Sequence, residues 1–443
     1  MARPKPLSGF PELLPDERIV EQAVLDTLRE VFELHGFGSI ETRAVEPLAQ
    51  LSRKGEITKE VYVVRRLHAD EADGDELGLH FDLTVPLARW VLEHSGRLQF
   101  PFRRYQIQKV WRGERPQEGR YREFTQADID ILGQGELAAH HDVEAPLVML
   151  EALERLHERI GLPPVLMHVN NRKLSEGFYR GLGAEDTPAV LQIVDKYGKI
   201  GAEATAGLLV SELGLSAEAA DKCVQLATIR GGDAGFVEQV RSLGVTNELL
   251  EEGLGELVAL VEEADRRVPG RIRADLSIAR GLDYYTGCVY ETELVGFEKM
   301  GSVGSGGRYD SLASDGRTAY PGVGISLGVT RLLGPLLARK QFVVSRPVPT
   351  CVLVAVDGEE TRDRALEVAA ALRGRGIPTE VAPRADKYGK QIRYADRRGI
   401  PFVWFGPLIG EIKDIRSGDQ QPADANDWMP DAADLHPRVL PSE

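Results

Sequence analysis

Residues 102–133, FRRYQIQKVWRGERPQEGRYREFTQADIDILG, constrain the fold of this chain more than any other stretch. Residues 104–111 and 124–132 alternate β-forming and polar residues, which predicts two strands. The loop between them, residues 112–122, holds a proline, glycines, four arginines and two glutamates. Because guanidinium groups pair with phosphate oxygens, we predict an antiparallel hairpin whose loop binds a polyphosphate. A solvated, salt-bridged hairpin is the alternative.

Composition limits the class of protein. A length of 443 residues predicts about three domains, and 42% hydrophobic with 28% charged residues is typical of a globular protein. The net charge of −15 gives no general attraction for nucleic acid, so any RNA contact must use local basic surfaces. Cys223, Cys288 and Cys351 form no C-x-x-C pair, which argues against a disulfide framework or zinc site and favours a reducing compartment. No apolar run approaches the ~20 residues that span a bilayer, so we expect a cytoplasmic protein.

The order of residues in the hairpin resembles motif 2 of class II aminoacyl-tRNA synthetases, which holds ATP. The motif's core of arginine, a variable residue and glutamate corresponds to residues 112–114, Arg-Gly-Glu. More narrowly, RGERPQEGRYREF, followed by Gln126 and Asp130 on one strand face, is similar to the histidyl-tRNA synthetase form. The resemblance implies that these hairpin side chains bind ATP, with a base stacked on the phenyl ring: Arg112, Glu114, Arg120 and Phe124.

Two later segments carry the same resemblance. Residues 278–291, IARGLDYYTGCVYE, resemble the histidine signature specific to histidyl-tRNA synthetases, although an aromatic-rich strand is the alternative. The resemblance implies that Arg112 and Arg280 are catalytic, because a fixed guanidinium stabilises the charge that develops at the α-phosphate of ATP. Residues 322–333, GVGISLGVTRLL, match motif 3, a strand turning into a helix, with Arg331 placed for the γ-phosphate. A snorkelling arginine is the alternative there.

The resemblance also implies a set of side chains that bind histidine: Asp82, Thr84, Gln126, Asp130, Tyr284, Tyr285 and Tyr309. Asp82 and Thr84 are predicted to share one face of a strand and hold the ammonium group. A helix N-cap before Pro86 is the alternative. Imidazole donates at one nitrogen and accepts at the other, so a carboxylate and a phenol can recognise both. Residues 302–310, SVGSGGRYD, resemble the family's second signature, in which Tyr309 closes the pocket.

Periodicity predicts the elements around these motifs. We expect a helix from Pro15 to about residue 35, and a strand over 38–47. This strand occupies the place of the motif 1 dimer element, but the usual proline is missing and Arg43 lies near its place. Residues 55–66 and 80–90 are predicted to form a β-rich pair, residues 136–160 a helix and 165–169 a strand. Glycine-broken helical segments then fill residues 171–269, which the resemblance identifies as an insertion near the tRNA acceptor end.

The C-terminal part alternates strands and helices after a predicted linker that starts at Arg346. This pattern predicts a small, mostly parallel α/β sheet that resembles the anticodon-binding domain of class II synthetases. One helix carries the residues expected to contact tRNA: Lys387, Lys390, Arg393 and Arg397. A solvated basic helix is the alternative. The stretch from about Asp419 is acidic and contains proline, so we expect much of it to be mobile.

The predicted fold is therefore α+β. It has a class II antiparallel-sheet catalytic domain (residues 1–170 and 270–340), a helical insertion domain (171–269) and a C-terminal α/β anticodon-binding domain with an acidic tail (346–443). The resemblance implies ATP-dependent activation of histidine, transfer to tRNA(His), Mg²⁺ accompanying ATP, a homodimer and no tightly bound metal. One alternative is the catalytically silent paralogue that regulates ATP phosphoribosyltransferase, which normally lacks the anticodon-binding domain. Another is an adenylate-forming enzyme that never binds tRNA.

Overall fold

A computed structural model describes residues 4–52, 60–68, 76–278 and 284–441. The chain divides into two compact units, residues 1–11, 25–158 and 162–335 in the first and residues 12–24, 159–161 and 336–443 in the second. None of the helices in the described ranges is both long and apolar enough to cross a membrane.

Helices and strands occur in both units. In chain order the helices are α1 (Pro15–Leu34), α2 (Leu48–Leu51), α3 (Thr84–His94), α4 (His141–Ile160), α5 (Arg172–Gly181), α6 (Thr187–Val194), α7 (Tyr197–Leu213), α8 (Ala217–Thr228), α9 (Phe236–Ser242), α10 (Glu248–Arg267), α11 (Val329–Ala338), α12 (Arg362–Gly374), α13 (Tyr388–Arg397) and α14 (Ala432–Leu435). The strands are β1 (Gly38–Ser39), β2 (Val45–Pro47), β3 (Val63–Val64), β4 (Leu77–Leu79), β5 (Phe102–Trp111), β6 (Glu123–Leu132), β7 (Val165–Asn171), β8 (Arg230–Gly231), β9 (Ile272–Asp275), β10 (Tyr285–Leu294), β11 (Gly304–Tyr309), β12 (Gly322–Gly328), β13 (Phe342–Val344), β14 (Val352–Val354), β15 (Thr379–Val381), β16 (Phe402–Phe405), β17 (Ile409–Asp414), β18 (Gln420–Asp424) and β19 (Val439–Pro441).

The largest sheet in the described part of the chain lies in the first unit. Its strand order is β1-β5-β6-β12-β11-β10-β7-β9-β8. Strands β5 and β6 pair antiparallel from Phe102 opposite Leu132 to Trp111 opposite Glu123, which confirms the predicted hairpin. Antiparallel pairing continues through β12, β11, β10 and β7, whereas β1 runs parallel to β5 and β9 parallel to β7. The antiparallel-rich sheet of the predicted α+β fold is therefore present.

Helices α5 to α10 follow β7, and one short strand interrupts them. Strand β8 pairs antiparallel with β9, so this helical segment contributes an edge strand to the large sheet. Helices α5 and α10 approach each other closely where each has a glycine. A Cβ atom at Gly253 would lie 2.2 Å from the backbone nitrogen of Leu174, and one at Gly177 would lie 2.2 Å from that of Leu250. Only glycine allows this approach.

Two first-unit predictions need correction. Residues 80–90, predicted to be β-rich, contain the start of α3, because Asp82 accepts a hydrogen bond from the Val85 N–H at 3.1 Å and so begins a helix. The strand predicted over 38–47 is divided into the short strands β1 and β2. The other half of the predicted β-rich pair was residues 55–66. Its first residues belong to the stretch 53–59, which lies outside the described residues, and its later part contains β3.

The second unit contains a sheet of order β15-β14-β16-β17-β18. Strands β15, β14 and β16 pair parallel as predicted, and β17 and β18 extend the sheet with antiparallel pairing. The mobility expected from about Asp419 is wrong for β18, α14 and β19, since β18 pairs with β17 and β19 with β13. Arg346, predicted to begin a linker, is buried and donates hydrogen bonds to the carbonyl oxygens of Val348, Pro349 and Leu435.

We expect Gly253→Ala to lower the free energy of unfolding by about 1–3 kcal/mol, because its Cβ must displace the backbone of α5. Gly255→Ala, in the same helix, is the matched control, since no atom beyond its chain neighbours and the backbone of its own helix lies within 4 Å of its Cβ position. Helix propensity should make this control more stable by up to about 1 kcal/mol. Urea denaturation of the two variants measures both effects, and equal changes would contradict the close packing.

Candidate active site

A cavity of about 800 Å³ lies over the large sheet of the first unit. It is lined by the hairpin loop, by parts of β6, β10, β11 and β12, and by the start of α11. The lining brings together predicted ATP-binding and histidine-binding residues from separate segments of the chain: Arg112, Glu114, Arg120, Phe124, Gln126, Tyr285 and Arg331. A cavity of this size is in the range that binds small molecules.

The hairpin loop holds its charged side chains in place. Arg112 donates from Nε to the carbonyl oxygen of Phe81 at 3.0 Å, and its guanidinium carbon lies 5.1 Å from the centre of the Phe124 ring. Arg120 Nη1 pairs with Glu114 Oε2 at 3.3 Å. The Arg112 guanidinium is therefore positioned by a hydrogen bond and a cation–π contact before any ligand binds.

Arg331 approaches the same cavity from the first turn of α11. Its Nη2 donates to the carbonyl oxygen of Met300 at 2.9 Å. Burial lowers the pKa of Arg331 below its usual range, and the neighbouring charges of Arg120 and Arg112 lower it further. Three guanidinium groups that repel one another in one cavity favour a polyanion between them.

Asp130 does not line the cavity but lies in a buried charged cluster beside it. Arg104, whose side chain is 0% exposed, places Nη2 2.6 Å from Asp130 Oδ2. The hydroxyl group of Tyr309 donates to Asp130 Oδ1 at 2.6 Å. Arg104 and Asp130 are direct cross-strand partners in the hairpin. The Asp130 carboxylate is thus fixed through both oxygens.

Glycines in β12 leave the space in which the Tyr309 and Asp130 side chains of this cluster meet. Strand β12 lies between β6, which carries Asp130, and β11, which carries Tyr309. A Cβ at Gly324 would lie 2.1 Å from Asp130 Oδ1, and a Cβ at Gly322 would lie 2.5 Å from the Tyr309 ring. The phenol of Tyr309 therefore reaches across β12 only because these two residues have no side chain.

The other predicted histidine-binding tyrosines lie next to this cluster. The Tyr284 ring centre is 4.7 Å from that of Tyr285 and 6.0 Å from that of Tyr309. Burial raises the pKa of Tyr285, and the carboxylates of Asp130 and Asp82 raise it further. The structure therefore gathers the predicted carboxylates and phenols around one place. The strand face predicted for Asp82 and Thr84 is wrong, since Thr84 is the first residue of α3.

Sequence reasoning missed three side chains of the cluster, namely Arg104, Asp128 and Ser326. Gln126 Nε2 donates to Ser326 Oγ at 2.8 Å, and the Ser326 hydroxyl donates to Asp128. Burial raises the pKa of Asp128 to about 7. The register of the hairpin would have placed Arg104 opposite Asp130, and strand alternation places Asp128 on the same face as Gln126 and Asp130, but the sequence carries no comparable local signal for Ser326. Arg280 belongs to residues 279–283, which lie outside the described residues.

A separate group of side chains has donor atoms close enough for a metal ion. Within the described ranges, His140, His141 and Glu144 place one donor atom each within 4.8 Å of one another. Glu144 also accepts hydrogen bonds from both terminal nitrogens of Arg103, at 3.1 and 2.7 Å. Because the positive guanidinium of Arg103 already pairs with the Glu144 carboxylate, it repels a metal ion from that carboxylate. These residues are not part of the cavity lining.

In the second unit, the predicted tRNA-binding side chains form an exposed basic stripe on α13 and the residue before it: Lys387, Lys390, Arg393 and Arg397. Gln391 and Ala395 form the buried side of the same helix. A cavity of about 440 Å³ adjoins α13, and its lining includes Tyr388 and Phe405, whose ring centres are 4.7 Å apart. Sequence reasoning did not single out these two aromatic residues.

Comparison with known proteins gives matches over nearly the whole chain. Residues 9–332 match the family described as histidyl-tRNA synthetase, and residues 350–405 match the anticodon binding domain. A histidine–tRNA ligase of Cutibacterium acnes is 66% identical, with 99% of each chain covered. The crystal structure of a histidyl-tRNA synthetase from Nostoc sp. PCC 7120 has a TM-score of 0.83 at 33% identity, covering 96% of this chain and 98% of that one. A structure from Bacillus halodurans, described as an ATP phosphoribosyltransferase regulatory subunit/histidyl-tRNA synthetase, has a TM-score of 0.74 at 21% identity, covering 91% of this chain and 98% of that one, which shows a shared fold alone.

We expect Asp130→Asn to lower the free energy of unfolding by about 3–5 kcal/mol, because Arg104 would keep a buried charge without its anionic partner. Asp26→Asn is the control, since Asp26 pairs with Arg29 at 2.7 Å on the exposed side of α1. That surface pair should contribute less than about 1 kcal/mol. Denaturant titration measures the free energy of unfolding of both variants. A loss for Asp130→Asn as small as that for Asp26→Asn would contradict the buried charged cluster.

Proposed function

Because this chain belongs to the histidyl-tRNA synthetase family, we propose that it activates L-histidine with ATP and then transfers the histidyl group to tRNA(His). The first step forms histidyl-adenylate and pyrophosphate, and the second uses a hydroxyl group of the 3′-terminal adenosine. The observation that carries this proposal is the cavity lined jointly by arginines of two segments, Phe124 and Tyr285. It offers groups for a polyphosphate, a base and a polar ring within one volume.

We propose that ATP occupies the arginine-lined part of the cavity. The adenine base stacks on Phe124, Arg112 binds the α-phosphate and Arg331 binds the γ-phosphate, with Glu114 and Arg120 shaping the loop. The fixed positions of the guanidinium groups support this arrangement, because bidentate phosphate contacts need preorganised donors. Mg²⁺ would accompany ATP and neutralise part of its phosphate charge.

We propose that histidine binds beside the buried cluster of Asp130. Asp82, Thr84 and Gln126 hold its ammonium group, while Asp130 accepts from one imidazole nitrogen and Tyr284, Tyr285 and Tyr309 enclose the ring. An ionised carboxylate has about four lone-pair sites, so Asp130 keeps acceptor capacity beyond its contacts with Arg104 and Tyr309. The fixed carboxylate favours a ring that can donate a hydrogen bond over an apolar side chain, which cannot donate one.

The regulatory alternative has less support than the synthetase function. The proteins regulating ATP phosphoribosyltransferase normally lack an anticodon-binding domain, whereas residues 350–405 match that domain. The relative at 66% identity is a histidine–tRNA ligase. The likeness to the Bacillus halodurans structure shows only the shared fold. An adenylate-forming enzyme without tRNA is disfavoured by the same C-terminal match.

We further propose that the protein acts in the cytoplasm as a homodimer. The family resemblance of residues 38–47 to the dimer element of class II synthetases motivates the dimer, which sedimentation velocity at micromolar concentration measures. The described thiols of Cys223, Cys288 and Cys351 are all free and buried, as expected in a reducing compartment.

The activation step is tested by ATP–pyrophosphate exchange with each amino acid in turn. We expect exchange with histidine alone. Arg280→Ala serves as the control variant and should slow the exchange by about 10²–10³, which is the usual effect of removing one charged donor from a site where transition-state charge develops. Exchange supported by another amino acid, or none at all, would contradict the proposed function.

The tRNA contact is tested by reversing one charge on α13. Arg393→Glu should lower kcat/KM for tRNA charging by about tenfold and reduce the salt slope by about 1, since it removes one phosphate contact. Pyrophosphate exchange should stay unchanged. Arg364→Glu, an equal charge change at an exposed position of α12, is the control and should leave charging unaltered. Equal losses in the two variants would argue against the basic stripe.

A further inference from the structure

A row of alternating charges crosses neighbouring strands of the large sheet. His168 on β7 has Nε2 3.5 Å from Glu293 Oε2 on β10 and Nδ1 3.2 Å from Asp275 Oδ2 on β9. The same Oδ2 atom lies 2.8 Å from Arg230 Nε on β8. We call these four side chains, Glu293, His168, Asp275 and Arg230, the ionic row. Its sequence of charges is negative, positive, negative, positive.

The middle of the ionic row is buried. His168 and Asp275 are each 7% exposed. Burial alone would lower the pKa of His168, but its contacts with Asp275 and Glu293 raise that pKa to about 9. His168 therefore carries a proton at neutral pH, and water screens its two ion pairs only weakly. The row is a continuous chain of ion pairs with a buried middle, in which the His168–Glu293 pair at 3.5 Å is a charge–charge contact without a hydrogen bond.

The two ends of the ionic row lie in different parts of the first unit. Glu293 lines the active-site cavity. Arg230 belongs to β8, which lies in the chain between α8 and α9 of the helical segment. Besides its pairing with Asp275, Arg230 donates to Ser277 Oγ at 2.7 Å and to the carbonyl oxygen of Ala227 at 2.8 Å. The row thus links the helical segment to the cavity wall.

The same contacts hold the end of β9. The Ser277 hydroxyl donates to Asp275 Oδ1 at 2.6 Å, and Asn170 donates from Nδ2 to the carbonyl oxygen of Ile278 at 2.8 Å. Ile278 immediately precedes residues 279–283, which include Arg280 in the sequence. Arg230 therefore anchors, through Asp275 and Ser277, the last described residues before the arginine assigned to the α-phosphate.

We propose that Arg230 is a positioning residue for histidine activation, which fixes Glu293 through Asp275 and His168 and fixes residues 275–278 through Ser277. This inference rests on the proposed function. It assigns the helical segment a part in the half-reaction that involves no tRNA. Displacement of reacting groups by about 1 Å, even from a distant substitution, can slow a reaction by about 10².

The test measures histidine-dependent pyrophosphate exchange in the full-length protein without tRNA. We expect Arg230→Gln to lower kcat by about 10- to 100-fold, with KM for ATP and histidine changed less than about threefold. Arg230→Lys should restore part of kcat, because an ammonium group keeps one charged contact with Asp275. Arg241→Gln is the matched control, since Arg241 lies in α9 of the same helical segment and its exposed side chain pairs with Glu251 at 3.2 Å. The Arg241→Gln variant should catalyse pyrophosphate exchange at the same rate as the parent protein.

Other outcomes overturn the inference. Exchange by Arg230→Gln within about twofold of the parent would mean that Arg230 has no positioning role, and a loss confined to tRNA charging would assign it to tRNA contact instead. If Arg230→Gln does not fold, as judged by thermal denaturation, Ser277→Ala replaces it. That variant removes one partner of Arg230 and should lower kcat in the same direction, whereas an unchanged kcat would refute the proposal. Exchange by the parent protein tests the proposed function separately.

Discussion

The buried ion pair between Arg104 and Asp130 is the interaction on which the proposed histidine site beside the cavity depends. A fully buried guanidinium loses several kcal/mol of hydration, which is offset only by a well-placed carboxylate with further hydrogen bonds. Asp130 meets this condition because Tyr309 donates to its second oxygen. Strands β5, β6 and β11 are therefore joined by one charged cluster. Because its geometry is set before substrate binds, the site needs little reorganisation during the reaction.

The cluster depends in turn on residues that have no side chain. Gly322 and Gly324 leave the surface of β12 open, so that Tyr309 from one signature meets Asp130 from the hairpin. Any larger residue at Gly324 would occupy the position of the Asp130 carboxylate. The glycine pattern of GVGISLG thus has a steric role that is separate from turn formation. It makes the meeting of two distant sequence segments possible.

Periodicity predicted the elements whose local signals agree. Helix α1, the β5–β6 hairpin and the β12–α11 junction each combine an apolar pattern with matching turn residues. At residues 80–90 the signals conflict, and the helix start provided by Asp82 outweighs the β-forming residues around it. The C-terminal stretch was mispredicted for another reason. Its composition is acidic, but β18 and β19 are ordered by pairing with β17 and β13, and composition does not report such non-local contacts.

The site shows the same division between local and non-local information. Resemblance to motifs predicted Asp130 and Tyr285, whereas Arg104 and His168 were missed, because a charged residue in a strand suggests a solvent-facing position until its cross-strand partners are known. In the ionic row, cross-strand partners likewise determine the role of Arg230, which belongs to the helical segment. Helices α5 and α10 of this segment pack against β7 and β10 of the sheet, and α10 also packs against β9. The pairing of β8 with β9, together with the contacts of Arg230 with Asp275 and Ser277, attaches the middle of the helical segment to the same sheet.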